Sequence, residues 1–383
     1  MLEPSTSSHS GMIWFMLFAH NGGGLKLAAA AVLCAGLVAC STETPANNPG
    51  PAASNASQAS DLRTHLDLLM SEQVMIVAKE TSAAVNHSDA YAGYTALLSA
   101  NSADLSALIG RAFGDTAAGQ FAQQWNSQNG YLVDYAIAVV THDDAKAKTA
   151  LAGLTTTFVP QFAQMLSDTS RLPLDPVTQL TTQQVLEDKA FINDLAAQKF
   201  SAFYKDLHTA YAQAFRLGDA LASQMVQRFP DKFPGEISTP TVDTRVSINA
   251  LLQEHAYLVT MGTEAVVAAR TDEASAASSA LVDNGSALTA ALSNTQLANV
   301  WTARNTSLFG YAQGNVQGNA LVTGKFVNDF VSVTHANKTV VQAQVTATLR
   351  VIDEQRARSS KTIAGDDRAA ATAMQPVADS LHG

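Results

Sequence analysis

From Asp61 onward, apolar residues recur every third or fourth position rather than every second. One stripe runs Phe121, Trp125, Gln128, Leu132, Tyr135, Val139. A second runs Phe200, Leu207, Tyr211, Ala214, Leu217, Leu221, Met225, and a third Ile248, Leu252, His255, Val259, Gly262, Val266. A period near 3.6 residues lines each set along one face of a helix. No stretch alternates apolar and polar residues as a half-buried strand does, and no Asn-Gly pair sits between such stretches. The pattern predicts an all-α body.

The pattern also repeats. Leu69-Met70-Ser71-Glu72-Gln73 matches Leu251-Leu252-Gln253-Glu254-His255, and Asn101 falls opposite Asn284. Trp125, Asn129, Leu132 and Tyr135 match Trp301, Asn305, Leu308 and Tyr311. Ile192-Asn193-Asp194 matches Ile352-Asp353-Glu354, and Gly218-Asp219-Ala220-Leu221 matches Ala378-Asp379-Ser380-Leu381. The blocks keep their order. Between the two series lie Pro230, Pro234 and Pro240, which a helix does not tolerate in its interior. The expectation is two homologous up-and-down bundles in tandem, residues 61–233 and 242–383, with a linker at 234–241.

The first 60 residues differ in kind. Lys26 precedes an apolar run from Leu27 to Val38, shorter than the ~20 residues a membrane-spanning helix needs. The run ends in Leu37-Val38-Ala39-Cys40, which resembles the lipobox of bacterial lipoproteins. The resemblance implies a signal peptide over 1–39, cleavage before Cys40, and lipid (palmitate included) on that cysteine. It implies a body anchored in the cell membrane or outer membrane and facing the extracytoplasmic side, periplasm or cell surface. Residues 41–60 carry Pro45, Pro49 and Pro51 among Ser, Ala and Asn, a composition without a core. With Cys40 they read as a disordered tether with a reach of roughly 25 Å.

Charge narrows the partners. The net charge is −10, and only 15% of residues are charged. Nucleic acid is disfavoured, because its binding runs on Lys and Arg. The partners expected are the membrane, through the lipid, and an envelope protein or a small ligand. Both cysteines, Cys34 and Cys40, lie ahead of the body, which therefore has neither a disulfide nor a thiol nucleophile.

Few chemical constellations remain. Glu-x-x-His and His-Glu-x-x-His are absent, as are a phosphate-binding Gly-x-x-x-x-Gly-Lys loop and Gly-x-Ser-x-Gly. No catalytic set is visible and no cofactor is expected. The sharpest feature is His255, on an apolar stripe beside Glu254, as a metal or haem ligand. Its match in the first series is Gln73, which weakens a shared metal role. Trp125, Tyr135, Trp301 and Tyr311 are candidates for lining a ligand pocket, although bulky aromatics more often fill a core. Met70, Met75, His65 and His208 offer donors that suit copper, but Met at helical spacing more often fills core gaps. Asn129 and Asn305 are read as cross-helix register bonds. Asp143-Asp144 is read as a helix start, and Asp366-Asp367-Arg368 as a solvated charge run.

The tandem pattern resembles helical repeats in exported proteins of Bacillus- and Paenibacillus-like bacteria. The matching residues are Glu254-His255-Ala256, Trp125 with Asp134-Tyr135, and Phe229 to Phe233. The resemblance implies a helical fold and no particular activity. The first functional reading is a membrane-anchored, non-enzymatic binding or scaffold module. The alternatives are a metal- or haem-binding bundle centred on Glu254 and His255, and a small-molecule sensor.

Overall fold

The computed structural model of the chain describes residues 57–381. The signal segment, Cys40 and the tether up to Ala56 lie outside the described residues. The described residues are all-α, without a strand among them, and they pack as one compact unit. Among them no helix is long and apolar enough to cross a membrane.

The first half comprises α1 (Gln58–Val85), α2 (Tyr91–Phe113), α3 (Asp115–Val140), α4 (Asp144–Ala152), α5 (Val159–Ser170), α6 (Leu174–Ala196) and α7 (Phe200–Arg228). A π-helical turn, Gly153–Phe158, joins α4 to α5. The second half comprises α8 (Pro240–Val267), α9 (Thr271–Ala291), α10 (Leu297–Ala312), α11 (Gln317–Ala320), α12 (Val327–Thr334), α13 (Lys338–Ala357), α14 (Ile363–Thr372) and α15 (Met374–Asp379). Here too a π turn, Leu321–Phe326, joins α11 to α12.

Local chemistry sets the boundaries. Ser57 Oγ accepts from Ser60 N–H at 3.2 Å and caps α1. Residues 58–60, expected to belong to the tether, are thus the first turn of α1. Asp143 caps α4 through Lys146 N–H at 3.0 Å, the helix start that its sequence suggests. Thr239 caps α8, and Pro240 occupies the first turn, where a missing N–H costs nothing. Pro240 and Thr241 thus belong to α8 rather than to the linker. Helices α5 and α12 end alike, on left-handed Arg171 and His335. In each case the preceding hydroxyl, Ser170 or Thr334, accepts from the N–H two residues on.

The stripe reading understates α1 and α8. Residues Met70 to Ala83 and Leu252 to Thr263 are buried without a break. These two helices run through the middle and contact one another, while α7 packs on α9 and α14 on α2. A helix enclosed on every side brings its polar residues into the core, where each needs a partner.

Those partners tie the halves together. Arg63 pairs with Asp219 and with Asp243, each at 2.5 Å. In the same register, Arg245 pairs with Asp379 at 2.8 Å and with Asp61 at 2.9 Å. Each arginine thus holds one carboxylate from its own half and one from the other. Lys79 Nζ on α1 meets Asp367 Oδ2 on α14 at 2.5 Å, and the Tyr94 hydroxyl donates to the same oxygen. Lys79 and Asp367 are buried. The run Asp366-Asp367-Arg368, expected as a solvated face, is therefore in part an internal joint.

Candidate functional site

Glu254 and His255 sit mid-way along α8 and share Asn284 as a neighbour. Glu254 Oε1 lies 2.6 Å from His208 Nδ1 on α7, and Glu254 Oε2 accepts from Asn284 Nδ2 at 2.9 Å. The His255 ring faces α9 and α10. Its Nδ1 lies 3.0 Å from Asn284 Oδ1 and its Nε2 3.1 Å from Asn305 Oδ1. Trp301 Nε1–H points at Nδ1 and an Arg304 NH1 donor at Nε2, each at 3.0 Å. Asn284 is held in one orientation, because its amide also donates to the Leu251 carbonyl. Its oxygen therefore faces the ring, so each ring nitrogen meets one amide oxygen and one N–H donor.

Electrostatics agree with a neutral ring. Burial, and then the Arg304 guanidinium, hold the His255 pKa well below its ordinary value. Arg304 is itself buried, and burial lowers its pKa to about 9. It remains a cation near neutral pH. Its NH2 group donates to Gln344 Oε1 at 3.1 Å, its Nε has no partner, and its plane lies over Trp301 and Phe326. A metal reading needs further donors beside His255. The atoms on its two nitrogens are instead amide oxygens, an indole N–H and a cation that repels metal ions. Among the described residues no group of three His, Cys, Asp or Glu stands close enough to hold a metal ion.

The corresponding place in the first half is built alike with other atoms. Asn101 Nδ2 donates to the Leu69 carbonyl and to Glu72 Oε2, each at 2.9 Å. Gln73 Nε2 donates to Asn129 Oδ1 at 3.1 Å, and Asn129 Nδ2 to Ser102 Oγ at 3.0 Å. Asn129 thus bonds across helices, as its position one turn after Trp125 suggests. Glu72 takes Arg368 Nε at 3.1 Å and NH2 at 2.9 Å, from the last helices of the other half. Glu254 takes His208 from the other half in the same way.

The four aromatic candidates are packed against protein. Trp125 lies among Phe121 and Phe162, and Trp301 among Phe326 and Phe330, all at centroid distances below 6 Å. Gly285 lets Trp301 approach, since a Cβ there would meet its ring at 2.9 Å. The Tyr135 hydroxyl donates to Asn193 Oδ1 at 2.8 Å, and the Tyr311 hydroxyl to Asp353 Oδ1 at 2.6 Å. Met70 and Met75 are core residues. Sequence reasoning missed Arg304, and it named His208 only for copper and Arg368 only within a solvated charge run. The first carried a usable signal: it lies one turn after Trp301, where the first stripe has Gln128.

No family model matches the chain, and no curated protein or solved structure matches it either.

Proposed function

We propose that the chain is an extracytoplasmic module, held to its membrane by lipid on Cys40, that works by binding a partner or ligand and not by catalysis. One observation carries the reading. The Leu37-Val38-Ala39-Cys40 sequence stands ahead of a helical body whose chemical-looking residues are engaged with one another. His255, Glu254 and Trp301 satisfy buried groups, and Trp125 packs among Phe121 and Phe162, so that together they bind helices to one another, which is a positioning task. The match of Arg63 with Arg245 and of Glu72 with Glu254 favours a duplicated bundle whose copies close on each other. Such a body presents an extended surface and clefts between its halves, as binding modules do.

The test is metabolic labelling with an alkyne palmitate in an exporting bacterial host. The full chain should carry label and fractionate with membranes. Cys40→Ala should lose both. Label that survives Cys40→Ala, or wild-type chain free in the soluble fraction, would sink the reading.

A further inference from the structure

In the first half, α7 presents two aromatic rings, Tyr211 and Phe215, with centroids 5.8 Å apart. Tyr211 is buried between α1 and α8. Its backbone carbonyl accepts from Ser71 Oγ on α1, and its hydroxyl donates to Gln253 Oε1 on α8. The register that sets Asp219 against Asp379, and His208 against Arg368, brings Tyr211 to Ala371 and Phe215 to Gln375. At that second place the rings are missing. A cleft of about 350 Å³ opens there, between α1, α2, α8 and α14.

The wall of this cleft has a definite chemistry. Leu68, Leu69 and Ala371 supply an apolar stretch. Glu72 and Asp104 share the single cation Arg368, with Asp104 Oδ2 at 2.6 Å from its NH2, so one negative charge is left over. Asn249, buried on α8, also lines the cleft. Its amide donates to the Arg245 carbonyl, and its Oδ1 has no partner. Gln253 Oε1 is already taken by Tyr211. The rest of the lining is His65 and Gln375, 3.3 Å apart, and Thr372; beside them an unpaired buried acceptor and one carboxylate in excess of Arg368 adjoin a short apolar surface. Unpaired buried acceptors are costly, and a bound donor relieves that cost.

We propose that this cleft is a binding site for a small aliphatic ammonium compound, whose carbons lie along Leu68, Leu69 and Ala371. Its N–H groups serve Asn249 Oδ1 and Asp104. The proposal rests on the binding reading above, and not on the lipid anchor.

The probe is 1,4-diaminobutane, added to the full chain purified in detergent, with thermal unfolding followed by tryptophan fluorescence. Succinate, of the same length and opposite charge, is the control. A saturable rise in Tm with the diamine, and none with succinate, is expected. Ala371→Tyr restores the ring that fills the first half and should abolish the rise. Gln375→Phe, which fills the cleft from its mouth, should do the same if Ala371→Tyr does not fold. Helicity by circular dichroism reports folding for both. No saturable rise with the diamine, a rise that persists in folded variants, or a rise with succinate instead would overturn the proposal. Crosslinking of the full chain in its membrane reads the wider binding role separately. A crosslinked partner without diamine binding would leave that role standing and remove the cleft from it.

Discussion

Asp188 is the most informative single residue for testing the energetics. It lies on α6, fully buried, with Gln184 Nε2 donating to its Oδ1 at 2.8 Å and nothing bonded to its Oδ2. No cation pairs with it among the described residues, and Glu187 adds a like charge nearby. Burial, the largest cause, pushes its carboxyl up to about 7 from an ordinary 3.8. The folded protein then binds one proton more than the unfolded chain across that window. Stability contributed by the protonated acid is fully present below pH 3.8 and is lost as pH rises towards 7. At about 1.4 kcal/mol per unit, the loss at neutral pH is about 4 kcal/mol. Asp188→Asn keeps the shape and the acceptor for Gln184 but has nothing to ionise. The second half already has an uncharged group there, Thr348, to which Gln344 donates. Urea unfolding of both proteins, read by tryptophan fluorescence, should show Asp188→Asn near neutral in effect at pH 4. It should be more stable than the parent by up to about 4 kcal/mol at pH 7.5. A gain that is equal at both pH values, or a loss at pH 7.5, would refute the desolvation argument.

The Lys79–Asp367 joint should behave asymmetrically. Asp367→Leu alone strands a buried ammonium and should cost about 3–5 kcal/mol. The double change Lys79→Met with Asp367→Leu installs the residues found at the register-matched positions, Met261 and Leu207, and should recover most of that loss in a double-mutant cycle. Asn129→Leu leaves the Gln73 amide and the Ser102 hydroxyl without their bonds. It should cost about 1–3 kcal/mol in thermal or urea unfolding; an unchanged midpoint and slope would contradict the register role. Arg304→Gln installs the first half's residue, Gln128, and removes the cation facing Nε2. The His255 pKa should rise, as read from imidazole resonances across a pH titration, and an unmoved ring would mean that burial alone sets it.

The fold class was legible because helical spacing survives in every long segment, and Trp125 and Trp301 mark the same place in two series of blocks. The enclosure of α1 and α8 was not. Glu72, Lys79, Glu254 and Arg245 are charged side chains that lie inside this enclosure. Their partners lie on other helices, often in the other half, and no local pattern announces such pairing. The same limit explains Asp367, whose flanking charges suggested a wet surface. His255 stands out in the sequence as a histidine on an apolar stripe, beside Glu254. The neighbours that set its surroundings, Asn284 and Arg304, come from α9 and α10, and no local pattern names them. The cleft had a signal that went unread: aligning the blocks sets Ala371 and Gln375 against two aromatic residues, and lost rings in a matched position leave space.

Lipid on Cys40 would hold the proposed binding module at its membrane. Intact mass spectrometry of the chain's N-terminal peptide, isolated from membranes of an exporting host, tests it. The account predicts a peptide that begins at Cys40 and carries a diacylglyceryl group. An unmodified peptide that begins upstream of Cys40, or at another residue after it, would contradict it.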